Sequence, residues 1–183
     1  MPKLLIAYGT MEGQTAKIAN RIAEVAREKG YLVDVVDAKN RNGSGVTTDV
    51  TAIIVGASLH AGHYENYLVN WVKAYRADLE RLPSAFFSVS LTSSVPGPET
   101  QAQVERCIGQ FTRDSGWQPR TVAFFGGALA YSQYNFVKRL IMRWIAQRAG
   151  GPTDTSHDYD LTDWAAVSRF AEDFLAARRV GTS

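Results

Sequence analysis

Short apolar segments alternate with longer amphipathic segments along the chain, and this alternation limits the fold more than any other feature. Residues 52–56, with the sequence Ala-Ile-Ile-Val-Gly, are nearly all apolar. Such a run is typical of a parallel strand, because helices cover both faces of a parallel sheet. Parallel strands are joined by crossovers, which are usually helices. The pattern therefore predicts an α/β fold, with a doubly wound, five-stranded parallel sheet in three layers.

The spacing of apolar residues gives approximate bounds for each element. Thr162 is the expected N-cap of the last helix, since its hydroxyl can accept a backbone N–H. An extra helical segment follows the fifth strand. Strands are predicted at 3–8, 32–36, 52–56, 85–89 and 121–125, and helices at 15–30, 65–82, 100–115, 135–149 and 162–178.

Length and composition exclude several classes of protein. A chain of 183 residues is predicted to form one domain, 1–183. Its net charge of +2 is too small for a nucleic-acid-binding surface. Its single cysteine, Cys107, excludes an internal disulfide and a multi-cysteine metal site, and no metal is predicted. No signal peptide and no run of about 18 apolar residues is found, so a cytoplasmic location is expected.

The first apolar run leads directly into a loop, residues 9–15, that suits a phosphate group. Backbone N–H groups at the start of the following helix lack intrahelical partners and carry the positive end of the helix dipole. The side chains of Thr10, Gln14 and Thr15 can add donors, and Gly13 lets the backbone close around an anion. The nucleotide-binding patterns GxxxxGKS/T and GxGxxG are both absent. The loop predicts a small phosphorylated cofactor held by neutral donors.

Four loops are expected to meet at one edge of the sheet, because ligands of such sheets bind at the carboxyl ends of the strands. One of them carries His60 and His63, two of the three histidines. Small residues beside aromatic and hydroxyl side chains suit a flat polar heterocycle. The four loops are residues 9–15, 57–64, 90–98 and 126–134.

The spacing Tyr8-x-Thr10-x-x-Gly13-x-Thr15 is similar to the flavodoxin phosphate loop. The whole chain more specifically resembles the menaquinone-dependent protoporphyrinogen IX dehydrogenases, which are flavodoxin-like enzymes of bacterial haem synthesis. Two of the segments that match, 150–155 and 162–164, are not general features of flavodoxins. In chain order the matches are 12–15, 56–58 with 62–64, 83–86 with 88–89, 127–129 with Tyr131 and Tyr134, 150–155 and 162–164.

This resemblance implies a flavodoxin-like sheet that binds FMN, with the phosphate in residues 10–15 and the ring between two later loops. It implies oxidation of protoporphyrinogen IX to protoporphyrin IX, with the electrons passed to a quinone. A segment at about 127–155 would be linked to the enzymatic role. The implied cofactor-binding residues are Thr10, Met11, Glu12, Gly13, Gln14, Thr15, Ser58, Leu59, His60, Gly62, His63, Tyr64, Ser90, Leu91, Gly127 and Ala128.

Two residues near the predicted flavin ring allow two interpretations. His63 and Tyr64 border the ring, or Tyr64 packs at a helix start while His63 hydrogen-bonds locally. A histidine can exchange protons near neutral pH, but the sequence does not decide between His60 and His63 for such a role. No catalytic residue is therefore named.

The helix predicted at 135–149 is apolar on one side and basic on the other. Its apolar side packs on the core while the basic side is solvated, or the helix meets anionic lipid or the propionates of a porphyrinogen. The second interpretation would bring the protein to the inner face of the cell membrane.

Two other functions fit a flavodoxin-like chain. One is an electron carrier without a substrate of its own, and the other is a quinone reductase with a different donor. Carriers of this kind are usually acidic, so the net charge of +2 disfavours the first alternative.

Overall fold

A central parallel sheet organises the protein. The computed structural model describes residues 1–40, 45–91, 93, 98–129, 142–143, 146–147, 150 and 153–179. The strand order β2-β1-β3-β5-β6 confirms the predicted five-stranded, doubly wound sheet, and a short β4 pairs antiparallel with the end of β3. The strands are β1 (Lys3–Gly9), β2 (Leu32–Asp37), β3 (Val50–His60), β4 (His63–Tyr64), β5 (Ser84–Ser90) and β6 (Val122–Gly126).

Helices cover the sheet, and one differs from its predicted extent. The predicted helix at 65–82 is two helices, separated at Tyr75. The apolar spacing continues through the break, so the pattern did not reveal it. The predicted helix at 135–149 lies outside the described residues except for 142–143 and 146–147, which are helical. The described helices are α1 (Gln14–Glu28), α2 (Asn66–Ala74), α3 (Arg76–Arg81), α4 (Pro98–Ser115) and α5 (Trp164–Arg179).

Side chains of β1 alternate between two cores, one on each face of the sheet. Leu4 and Ile6 pack with residues of α1 and α5, whereas Leu5 and Ala7 pack with residues of α2 and α4. Cys107 is buried in the second core, as expected for an inert thiol. Full burial of a large aliphatic side chain contributes about 1.5–3 kcal/mol, so both faces stabilise the sheet.

Gly56 makes room for an aromatic ring at the centre of the sheet. It lies between Tyr8 of β1 and Phe87 of β5 in the strand register. A Cβ atom at this position would lie 2.1 Å from Cζ of Phe87, which is fully buried. Only glycine leaves enough space for the Phe87 ring, which also packs on Phe125 at a centroid distance of 5.9 Å.

The predicted N-cap of the last helix is wrong by one residue. Asp163 Oδ1 accepts the backbone N–H of Ala166 at 2.9 Å, so Asp163 caps α5. The hydroxyl of Thr162 is buried and donates instead to the carbonyl of Gly126 at 2.8 Å. Thr162 therefore joins the end of β6 to the start of α5.

A second, two-stranded sheet lies at the carboxyl end of β6. It pairs β7 (Ala128–Leu129) antiparallel with β8 (Tyr159–Asp160), and the N–H of Leu161 donates to Gly127 O at 3.0 Å. This pairing returns the chain to the edge of the main sheet where the predicted loops end. In the described part of the chain, no helix has the length and apolar character needed to cross a bilayer.

Candidate functional site

A cavity of about 510 Å³ lies at the carboxyl ends of β1, β3 and β5, where the predicted loops meet. Its volume is within the usual range for cofactor sites, about 300–1,000 Å³. Most of the predicted cofactor-binding residues line it. These are Thr10, Glu12, Gln14, Ser58, Leu59, His60, Gly62, Ser90, Leu91, Gly127 and Ala128.

The other predicted residues do not line this cavity. Met11, His63 and Tyr64 line a smaller cavity of about 340 Å³. Gly13 and Thr15 belong to the start of α1.

The loop after β1 leads to N–H groups at the start of α1 that have no acceptor among the described residues. Gly13 is the N-cap residue, in the left-handed region with φ 89°, and as a glycine it has no side chain that could accept an N–H of the first turn. Its own N–H donates to the hydroxyl of Thr10 at 2.9 Å. The N–H groups of the first helical residues have no intrahelical acceptor, and the described first turn contains no acidic residue. This arrangement favours an anion at the helix start.

Thr15 carries a buried hydroxyl that forms no hydrogen bond with the described part of the chain. Its side chain is 1% exposed, and no described residue accepts from or donates to the hydroxyl. Leaving such a group unpaired costs about 1–3 kcal/mol. An anion bound at the start of α1 could supply the missing partner.

Gln14 has a different task from the one expected. Its Nε2 donates to Asp160 Oδ1 at 2.9 Å and to Thr162 Oγ1 at 2.8 Å. Both amide hydrogens are engaged, so the Gln14 side chain holds the loop in place and does not donate to an anion.

Asp160 joins three parts of the site. Its Oδ1 also accepts the N–H of Thr162 at 3.0 Å, and its Oδ2 accepts Trp164 Nε1–H at 3.1 Å. Asp160 therefore links the loop after β1, through Gln14, to β8 and to the first residue of α5. Three donors on one carboxylate make charge-assisted hydrogen bonds, which are stronger than neutral ones.

Sequence reasoning missed several residues that line the cavity. Lys17 lies at its margin, exposed and without an ion pair among the described residues, although only neutral donors were expected. The nucleotide-binding pattern GxxxxGKS/T has its lysine directly after a glycine, whereas Lys17 lies one helical turn after Gly13. The segment 158–160 also lines the cavity. Its only sequence signal was its position just before the matching segment 162–164.

The connection between β3 and β4 is a tight hairpin at the cavity margin. His60 pairs with His63, so Ala61 and Gly62 form a two-residue turn. Both have positive φ, 47° and 81°, as a type I′ turn requires. Ala61 is the one non-glycine residue with positive φ among those described. This conformation is unfavourable for alanine because of its Cβ atom.

Tyr64 anchors this hairpin in the core, in agreement with the packing interpretation. Its hydroxyl forms a 3.0 Å hydrogen bond with the hydroxyl of buried Ser88. Its ring packs edge-on against Phe86 and Phe111, at centroid distances of 5.6 and 5.2 Å. Burial raises the pKa of Tyr64 to about 12, so it remains a neutral phenol near neutral pH.

Replacing Ala61 with asparagine should raise the free energy of unfolding by about 0.5–1 kcal/mol, because asparagine tolerates left-handed backbone conformations better. Urea unfolding of the two proteins measures the change. Ala102→Asn is the control, since Ala102 is exposed within α4 and the same substitution should cost about 0.5 kcal/mol there. A less stable Ala61→Asn protein would contradict the assignment of strain to this turn.

Two further loops that line the cavity are joined to each other. The hydroxyl of Ser90 accepts the N–H of Ser93 at 3.0 Å and lies 2.7 Å from the hydroxyl of Ser93. The carbonyl of Ser90 accepts the N–H of Gly127 at 3.0 Å. The loops after β5 and β6 therefore hold each other in place beside the cavity.

Comparison with known proteins shows the family of the chain. The family model for the flavodoxin domain matches residues 5–156. Protoporphyrinogen IX dehydrogenase (quinone) from Leishmania major is 41% identical over 176 residues, which are 96% of this chain and 75% of that protein. The Escherichia coli K12 protein of the same name is 33% identical over 171 residues, 93% of both chains.

The fold comparison agrees with these matches. The crystal structure of oxidised flavodoxin 1 from Bacillus cereus aligns with a TM-score of 0.56 at 16% identity. The alignment covers 95% of this chain and 97% of the flavodoxin, and at this identity it shows the fold alone. The chain therefore belongs to the flavodoxin-domain family, and within it to the family of the protoporphyrinogen IX dehydrogenases.

Proposed function

We propose that this protein is an FMN-dependent oxidoreductase that converts protoporphyrinogen IX to protoporphyrin IX and passes the electrons to a quinone. The observation that carries this proposal is the match to the E. coli dehydrogenase, which extends over 93% of both chains at 33% identity. At this identity the match reaches beyond a shared fold, whereas the 16% identity to the flavodoxin shows the fold alone.

The flavodoxin domain indicates a flavin cofactor, and the proposal specifies FMN. Several features fit a flavin with a phosphate. The start of α1 offers unpaired N–H groups, and Thr15 offers a buried hydroxyl without a partner in the described chain. The phosphate would be held there, together with the Thr10 hydroxyl. The ring would lie among Ser58–Gly62, Ser90, Leu91, Gly127 and Ala128, which border the cavity.

A bound FMN would supply two-electron redox chemistry, and the six-electron conversion of the porphyrinogen to the porphyrin would need three such rounds, each delivering one electron pair to a quinone. The protein supplies orientation and exclusion of water. The β3–β4 hairpin and the Ser90 loop would enclose the ring from two sides. His60 lines the cavity and His63 does not, so His60 is the histidine proposed to exchange a proton with the substrate. Tyr64 is excluded from this role, because its high pKa keeps it protonated.

The proposal includes peripheral contact with a membrane through the basic helix predicted at 135–149, most of which lies outside the described residues. An apolar quinone is dissolved in lipid, which supports such contact at the inner face of the cell membrane. Cosedimentation with anionic vesicles tests it, and a protein that stays entirely in the supernatant would contradict it.

An anaerobic assay tests the reaction. The FMN-loaded protein is mixed with protoporphyrinogen IX and a menaquinone analogue, and porphyrin fluorescence is followed. Fluorescence should rise at least about a hundredfold faster than with free FMN, as expected for an enzyme-catalysed reaction. Apoprotein without FMN serves as the second control. A rate equal to that of free FMN would refute the enzyme assignment and favour an electron carrier.

A further inference from the structure

Thr10 is the first residue beyond the end of β1, and its backbone is held by a side chain from another helix. The last register pair between β1 and β3 is Gly9 with Ala57, so Thr10 lies beyond the paired part of the sheet as far as the chain is described. The phenol oxygen of Tyr67 accepts the N–H of Thr10 at 2.9 Å and donates to its carbonyl at 3.2 Å. The Tyr67 hydroxyl of α2 thus replaces the two backbone hydrogen bonds that pairing with a neighbouring strand would have supplied.

Gly9 permits this contact by letting α2 approach the end of β1. A Cβ atom on Gly9 would lie 3.1 Å from Leu68 Cβ and 3.4 Å from Tyr67 Cε2. The first of these distances is tighter than ordinary van der Waals contact, so a side chain at Gly9 would push α2 away. Gly9 and Tyr67 therefore act together, because the close packing of α2 on Gly9 brings the Tyr67 hydroxyl to Thr10.

The contact determines which groups of the loop remain available to a ligand. The N–H of Thr10 is engaged by Tyr67, and the Thr10 hydroxyl accepts the N–H of Gly13 at 2.9 Å. The hydrogen of the Thr10 hydroxyl is left to donate elsewhere. Tyr67 itself does not line the cavity, so it acts on the loop from outside. Burial raises the pKa of Tyr67, which keeps its hydroxyl protonated and able to donate.

We propose that Tyr67 is a positioning residue for the cofactor phosphate: by fixing Thr10, it shapes the loop so that the protein prefers FMN to riboflavin. The proposal rests on the flavin function proposed above and adds a determinant of cofactor choice. A residue that shaped only the ring site would affect both flavins equally, since they differ only in the phosphate.

Titration of apoprotein with FMN and with riboflavin, followed by flavin fluorescence, tests this role. In Tyr67→Phe, FMN affinity should fall about tenfold, because one hydroxyl and two backbone hydrogen bonds are lost. Riboflavin affinity should change less than about twofold, since riboflavin has no phosphate to place. Tyr75→Phe is the matched control, because the Tyr75 hydroxyl makes no hydrogen bond within the described chain, and both affinities should stay unchanged.

Gly9→Ala provides an independent variant that moves the same hydroxyl and should lower the FMN-to-riboflavin affinity ratio in the same direction. If Tyr67→Phe does not fold, the affinity ratio of the Gly9→Ala variant tests the role of Tyr67 instead. An unchanged ratio, or an equal fall for both flavins, would overturn the role of Tyr67 while leaving the flavin function intact. Wild-type protein that binds neither flavin would refute the proposed function itself.

Discussion

Replacing Gly56 with alanine is expected to lower the free energy of unfolding by about 3 kcal/mol, at the upper end of the usual cost of overpacking. The added Cβ would lie 2.1 Å from Cζ of Phe87, in a region with no exposed surface to accept a displaced ring. Phe87 is held by Phe125 and Phe170, at centroid distances of 5.9 and 6.5 Å, so it cannot move without disturbing them. Urea unfolding of wild type and variant measures the loss.

A second substitution identifies the cause. The double variant Gly56→Ala/Phe87→Leu should lose less stability than the two single variants lose together, by at least about 1 kcal/mol. The reason is that the smaller leucine side chain relieves the clash with the added Cβ. Gly109→Ala is the control, and the change in unfolding free energy that we expect for it has the opposite sign. Gly109 lies inside α4, where a Cβ would meet only Arg113 Nη1 at 3.6 Å, so alanine should add about 0.5–1 kcal/mol. Additive losses at Gly56 and Phe87 would show that the ring is not the obstacle.

Replacing Thr15 with valine is expected to weaken FMN binding by about 1–3 kcal/mol, roughly fivefold to 150-fold. Valine keeps the shape of threonine and removes only the hydroxyl. Because Thr15 is 1% exposed and its hydroxyl has no partner in the described chain, removal of the hydroxyl should leave the stability of the apoprotein unchanged or higher. Flavin titration of Thr15→Val should therefore show weaker binding, whereas urea unfolding of its apoprotein should show no loss of stability.

Thr112→Val is the control for Thr15, since Thr112 is a helical threonine of α4 outside the cavity. It should leave FMN affinity unchanged. If Thr15→Val also leaves the affinity unchanged, the Thr15 hydroxyl does not contact the phosphate. If the valine lowers the stability of the apoprotein, the hydroxyl has a structural partner that the geometry does not reveal.

The sheet and the location of the cavity could be predicted because both follow from local patterns. An apolar run such as 52–56 indicates a strand covered on both faces, and the doubly wound topology brings the strand ends together. Thr10, Ser58 and Gly127 were therefore expected in one place although they are far apart in sequence, and all three line the cavity.

The tasks of individual side chains were harder to predict, because they depend on partners that are distant in sequence. The sequence indicates that Gln14 can donate, but only the fold shows that Asp160 and Thr162 take both hydrogens. Thr162 has the chemistry of an N-cap, yet burial beside Gly126 directs its hydroxyl elsewhere. The β3–β4 turn was missed because Ala61 adopts a positive φ that its residue type does not suggest.

The hydrogen bonds of Gln14 have a consequence for synthesis on the ribosome. Its two partners lie 146 and 148 residues further along the chain, so the amide is satisfied only when the polypeptide is almost complete. Gln14 is 7% exposed in the finished protein, and until its partners are made, its side-chain amide must stay hydrated or remain unpaired. The early strands and α1 can assemble during translation, whereas the loop after β1 reaches its final shape near the end. In a truncated product that lacks residue 160, the loop after β1 would therefore lack the hydrogen bonds that fix its final conformation.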